Sequence, residues 1–269
     1  QLFLYHSQAV FIINFVRLLV LFIFLSFHLD VYFVLISFIV SYLAAILFQF
    51  FKLKKNFNLQ NSFINKNFNI FTKSTYAIIF INLIIIFLLN SELVLSRYLL
   101  NETDSGIYNG ISSIGKISFY LVNALAPIVI PKTVFLESKN QNSFKFILYL
   151  LTLILILTIF LSIFYFLFKD QFITLILNKN FLEFNYLIFI MNLNYSMLAA
   201  SSILLNFLLL KINAMKIAYC TLPLALVLIL FNYEITPLFM SITMTLINAI
   251  LLMVLLILVI LINTNKKTV

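Results

Sequence analysis

The stretch Phe146–Phe168 reads FILYLLTLILILTIFLSIFYFLF, 23 residues of which none is charged. At about 1.5 Å rise per residue it makes a helix of about 35 Å, longer than the roughly 30 Å hydrocarbon core of a bilayer. It lacks the in-and-out alternation that a membrane barrel strand requires. Such a run is a spanning helix. Working outward from it, the same pattern recurs near Val10–Phe27, Val31–Phe51, Tyr76–Leu99, Ile107–Ile130, Tyr186–Leu210, Ile217–Phe231 and Leu238–Ile262. The expected fold is all-α, a polytopic transmembrane helix bundle of about eight spans.

Composition agrees and narrows the function classes. Over 269 residues the chain is 64% hydrophobic and 9% charged, against roughly 45–50% and about 25% in soluble globular domains. So few charges cannot cover the surface of a soluble enzyme, and so much apolar content excludes a disordered chain. A single cysteine, Cys220, excludes a disulfide scaffold. The chain opens Gln1-Leu2-Phe3, with neither an initiator Met nor a charged region before a small-residue cleavage site. No signal peptide is expected, and the chain reads as a fragment lacking its N-terminal part.

Orientation follows from the loops. Lys52, Lys54, Lys55, Lys66 and Lys73 lie after the second span, Lys132, Lys139 and Lys145 after the fourth, Lys211 and Lys216 after the sixth, and Lys266 and Lys267 in the tail. The opposite loops hold Asp30, Glu102, Asp104, Asp170, Glu183 and Glu234, with Lys169 and Lys179. By the positive-inside rule both ends of this chain are expected in the cytoplasm. The net charge of +9 then serves topology and the anionic inner leaflet, and membrane lipids rather than nucleic acid are the expected partners. The basic stretch 52–73 divides the chain into a helix pair, 1–51, and a block of six helices, 74–269.

Charges inside a membrane cost about 2.5–3.5 kcal/mol each on insertion scales, so each calls for a reason. Arg17 lies midway along the first span, with Asn14 one turn before it. Glu92 and Arg97 lie at the outer end of the third and are expected to form an interfacial ion pair or a gating pair. Lys116 lies about ten residues into the fourth. Around it Asn109, Ser112, Ser113, Tyr120 and Asn123 recur at steps of three or four, a polar stripe down one helix. Arg17 and Lys116 are expected to face a polar cavity, with that stripe as its wall. Weaker stripes at Asn192, Tyr195, Ser202 and Asn206, and at Thr245 and Asn248, fit helix–helix hydrogen bonds. All three glycines, Gly106, Gly110 and Gly115, fall on the fourth span, where Gly106-x-x-x-Gly110 is a close-packing pattern. Pro127 and Pro131 predict a bent or broken end to the same span.

Sites for covalent chemistry are thin. His6 and His28 are too few for a metal site, and no Gly-rich phosphate loop or nucleophile–His–acid set is present. No metal, cofactor or enzymatic activity is expected. With no aqueous loop beyond about 20 residues, energy for transport would come from an ion gradient, the membrane potential or the substrate gradient.

The run Asn90-Ser91-Glu92-Leu93-Val94-Leu95-Ser96-Arg97-Tyr98-Leu99-Leu100, then Gly106-Ile107-Tyr108 and a polar helix closing on Pro131, resembles the start of the second half of bacterial polysaccharide flippases. These belong to the multidrug/oligosaccharidyl-lipid/polysaccharide exporter superfamily. The acid there is more usually Asp; here it is Glu92. The stretch Leu175–Phe184 resembles the family's external connection without its usual Gly. The resemblance implies a two-lobe fold of twelve to fourteen helices. This chain would supply the last two helices of the first lobe and the six-helix second lobe, the first four helices being missing. It also implies a place in the bacterial inner membrane. There the protein would flip an undecaprenyl-diphosphate-linked oligosaccharide by alternating access, for O-antigen or capsule assembly, alongside glycan polymerase machinery. Arg17 and Lys116 would meet the diphosphate, and Asn14, Ser112, Ser113, Tyr120 and Asn123 the cavity's polar contents. Two other readings stay open: a cation-coupled drug exporter of the same superfamily, and a membrane-embedded glycan polymerase or acyltransferase.

Overall fold

In a computed structural model the described residues are 2–24, 31–56, 73–211 and 236–265. They are helical almost throughout, with no strand among them. Six of the helices are long and apolar enough to cross a membrane, so the chain is a multi-pass membrane protein. The expected span Ile217–Phe231 lies outside the described residues.

The chain divides into two compact units, Gln1–Ile70 and Phe71–Val269. In the first, α1 (Leu2–Phe24) and α2 (Val31–Asn56) pair as an antiparallel hairpin, with Arg17 beside Phe38 and Gln8, Phe11 and Ile12 beside Phe48. Most of their large apolar side chains are exposed, as expected of surfaces that meet lipid rather than water.

The second unit comprises α3 (Lys73–Leu99), α4 (Glu102–Asn123), α5 (Ala126–Ser138), α6 (Ser143–Ile176), α7 (Leu187–Leu208) and α8 (Pro237–Asn265). Its core is Ile, Leu, Val, Met and aromatic side chains gathered around α7, the most buried of these helices. The α3–α4 turn is built for its place. Asn101 Oδ1 caps α4 by accepting from the Asp104 amide at 2.8 Å. Glu102 and Asp104 sit at the positive end of the α4 dipole, and Arg97 at the negative end of α3.

The fourth predicted span is interrupted at Ala124 and Leu125, just before Pro127, because Pro127 has no N–H for the next helical bond. Pro131 does not end the helix. It lies inside α5, which continues to Ser138. Beyond Phe168, where the predicted fifth span ends, the backbone kinks (φ −117°, ψ 15°) and helix resumes to Ile176. A short 3-10 helix, Lys179–Phe184, then leads towards α7.

Side-chain pairs fix the directions. Glu92 meets Tyr108, so α3 and α4 are antiparallel. Ser162 meets Asn192, and Leu151 and Leu155 share a cavity with Ala200, so α6 opposes α7. Asn194 bonds Asn248, while Phe207 and Lys211 share a cavity with Val259 and Asn263, so α7 and α8 run the same way.

The glycines act differently from the pattern read in the sequence. A Cβ on Gly115 would lie 2.7 Å from Met191 Cβ and 2.8 Å from Tyr195 Cδ2, so Gly115 is what lets α4 lie against α7. Gly110 is close only to the 3-10 segment and its approach, through Phe181 and Leu177, and Gly106 has nothing within 4 Å. Gly106-x-x-x-Gly110 is therefore not a helix–helix seam among the described residues.

Candidate functional site

Polar side chains of the second unit separate into a buried hub and an open face. The hub centres on Glu92, which is 1% exposed. Its Oε1 accepts from Asn194 Nδ2 at 2.5 Å, and its Oε2 accepts from the Tyr195 hydroxyl at 3.0 Å and the Tyr108 hydroxyl at 3.1 Å. Further out, Asn248 Nδ2 donates to Asn194 Oδ1 at 2.7 Å, and the Ser112 and Tyr195 hydroxyls share a hydrogen bond of 2.5 Å. One carboxylate thus ties α3, α4, α7 and, through Asn194, α8. A carboxylate offers only acceptors, and three donors from two other helices occupy three of its roughly four lone-pair sites.

This corrects the expected Glu92–Arg97 pair. Five residues along a helix turn a side chain by about 140°, so the two do not share a face. Arg97 instead reaches across the turn to Glu102 at 3.0 Å, both ends being exposed. Tyr108, Asn194 and Tyr195 did not enter the sequence reading as partners of Glu92. The usable signal was the set of facing polar residues on the sixth and eighth spans, which a buried acid could satisfy.

The α4 stripe splits. Ser112 is fully buried in the hub, and Asn123 Oδ1 accepts from Ser202 of α7 at 2.5 Å. Asn109 is half-buried, its Oδ1 accepting from Ser96 of α3 at 2.9 Å. Ser112 and Asn123 are thus contacts within the bundle rather than freely open wall. Ser113 and Tyr120 are exposed and Lys116 is half-buried between them. Lys116 feels the field of Glu92, yet makes no hydrogen bond and no close ion pair among the described residues.

Lys116 is 14 residues beyond Glu102 and seven before Asn123, where α4 ends, about 21 Å and 10 Å along the helix. It lies well inside a stretch long and apolar enough to cross a membrane.

Just beyond, at the α4–α5 interruption, a cavity of about 270 Å³ is lined by Asn82, Asn123, Ser202 and Asn206, with Ile85, Ala126, Pro127 and Ile130.

In the first unit the Arg17 guanidinium lies 4.0 Å from the centre of the Phe38 ring and 5.8 Å from that of Tyr42. Such cation–π contacts contribute about 0.5–2 kcal/mol. Its Nε is buried without a hydrogen-bond partner among the described residues. Asn14, a turn earlier, is exposed. Arg17 and Lys116 thus fall in different units, and each is described only within its own. No group of three or more His, Cys, Asp or Glu that could hold a metal occurs among the described residues.

No family model, curated protein or solved structure matches the chain.

Proposed function

We propose that the chain is part of a flippase that moves a lipid-linked oligosaccharide across the bacterial cytoplasmic membrane by alternating access. The observation that carries this reading is the open face of α4, where Ser113, Lys116 and Tyr120 stand well inside a stretch long and apolar enough to cross a membrane. Lipid is a costly neighbour for an ammonium at that depth. A cavity that admits a polar cargo is an inexpensive one. An ammonium is also a suitable point charge for a diphosphate. Hydroxyls and a tyrosine ring on the same face suit the sugars.

The likeness of Asn90–Lys132 to polysaccharide flippases supports the same cargo. On this reading the helix pair α1–α2 belongs to a first lobe, Arg17 is a cargo-binding cation of that lobe, and both chain ends are cytoplasmic. The hub keeps the helices of the second lobe together through the transport cycle.

The test is complementation of a strain lacking the protein. Lys116→Ala should abolish surface glycan at normal protein level, and Arg17→Ala should reduce it. Full surface glycan in both variants would overturn the reading.

A further inference from the structure

We infer that the amide-lined cavity at the α4–α5 interruption binds the uncharged, hydroxyl-bearing first sugar of the cargo. The inference rests on the flippase reading and adds to it a sugar subsite and a direction for the bound molecule. Asn123 lies seven residues beyond Lys116, two turns on and on the same face, about 10 Å along the axis. That distance suits a sugar joined to a phosphate held at Lys116.

The lining has the chemistry of a neutral ligand. Its polar members are Asn82, Asn123, Ser202 and Asn206, and no charged residue contributes. Two of the amides are each pinned at one end. Asn123 Oδ1 accepts from Ser202 Oγ, and Asn206 Nδ2 donates to the Ser202 carbonyl at 3.0 Å. Their other ends, the Asn123 Nδ2 donor and the Asn206 Oδ1 acceptor, have no hydrogen-bond partner among the described residues.

A fixed donor beside a fixed acceptor pairs with vicinal hydroxyls or with an acetamido group, each of which offers both. A bare phosphate offers chiefly acceptors and would leave the Asn206 acceptor unmet. Pro127 contributes by breaking the helix, which opens room beside these amides without placing a charge there. The cargo then lies with its phosphate at Lys116 and its sugar towards α5, the end expected to face the cytoplasm.

The experiment measures binding of two probes to the full chain in nanodiscs: undecaprenyl phosphate, and undecaprenyl-diphosphate-linked N-acetylglucosamine. The wild type should bind the sugar-bearing probe more tightly. Asn206→Ala should lose about tenfold in affinity for that probe and little for undecaprenyl phosphate, as loss of one hydrogen bond predicts, and Asn206→Gln should recover part of it. Lys116→Ala should weaken both probes together.

Unchanged binding of the sugar-bearing probe by Asn206→Ala overturns the subsite and leaves the flippase reading standing. Failure of the wild type to bind either probe better than a neutral control lipid overturns both.

Discussion

Helices α4 and α7 both carry polar residues at steps of three and four, yet the two stripes have opposite fates. On α7, Asn192, Asn194, Tyr195 and Ser202 all bond to side chains of other helices. On α4 only part of the stripe turns inward, and Ser113, Lys116 and Tyr120 stay on the open side. In lipid, a polar group must find a partner within the protein or line a polar space. The difference separates a helix whose polar residues hold the bundle together from one that leaves part of its stripe open, with Ser113 bonded, among the described residues, only to the Asn109 carbonyl of its own helix.

The sharpest way to break this contrast is at the hub. Glu92→Leu would remove the acceptor of three buried donors and should destabilise the second unit on the order of 3 kcal/mol, read by chemical denaturation in mixed micelles. Wild-type stability would mean that α7's polar residues do not hold the helices. A smaller effect is expected from Gly115→Val, whose added methyls meet Met191 and Tyr195. Overpacking of this kind costs about 1–3 kcal/mol. Gly106→Val on the open side, with nothing within 4 Å, should stay within about 0.5 kcal/mol. Equal losses at the two glycines would erase the distinction between the faces. Smallest of all is Arg97→Ala, which breaks an exposed pair and should shift stability by less than about 0.5 kcal/mol in the same titration.

Much of the fold was legible because span length and charge placement are local properties. Phe146–Phe168 and Leu238–Ile262 needed no partner to be read as helices. The interruption before Pro127 was visible from the missing N–H alone. Lys116 stood out for the same reason, since no acid lies within a turn of it.

The hub was not legible because its partners are 16, 102 and 103 residues from Glu92. A lone acid near a helix end, with an arginine five residues on, looks like a surface pair unless the angle between them is counted. Angle also decides the stripe. Ser112 and Ser113 are about 100° apart on a helix, so one entered the bundle and the other did not. Which of them did depends on where Tyr195 sits, and the α4 sequence carries no record of that.

The shared direction of α7 and α8 has a consequence for assembly. The ends of α3–α8 fall into two groups: Lys73, Lys139, Lys145 and Lys211 lie at one, and Glu102, Asp104 and Glu183 at the other. The Asn194–Asn248 bond ties two helices that share a heading. Turning α8 over about its midpoint would slide Asn248 by about six residues, roughly 9 Å along the axis. That is about three times the reach of a hydrogen bond, so the Glu92 hub would lose its link to α8.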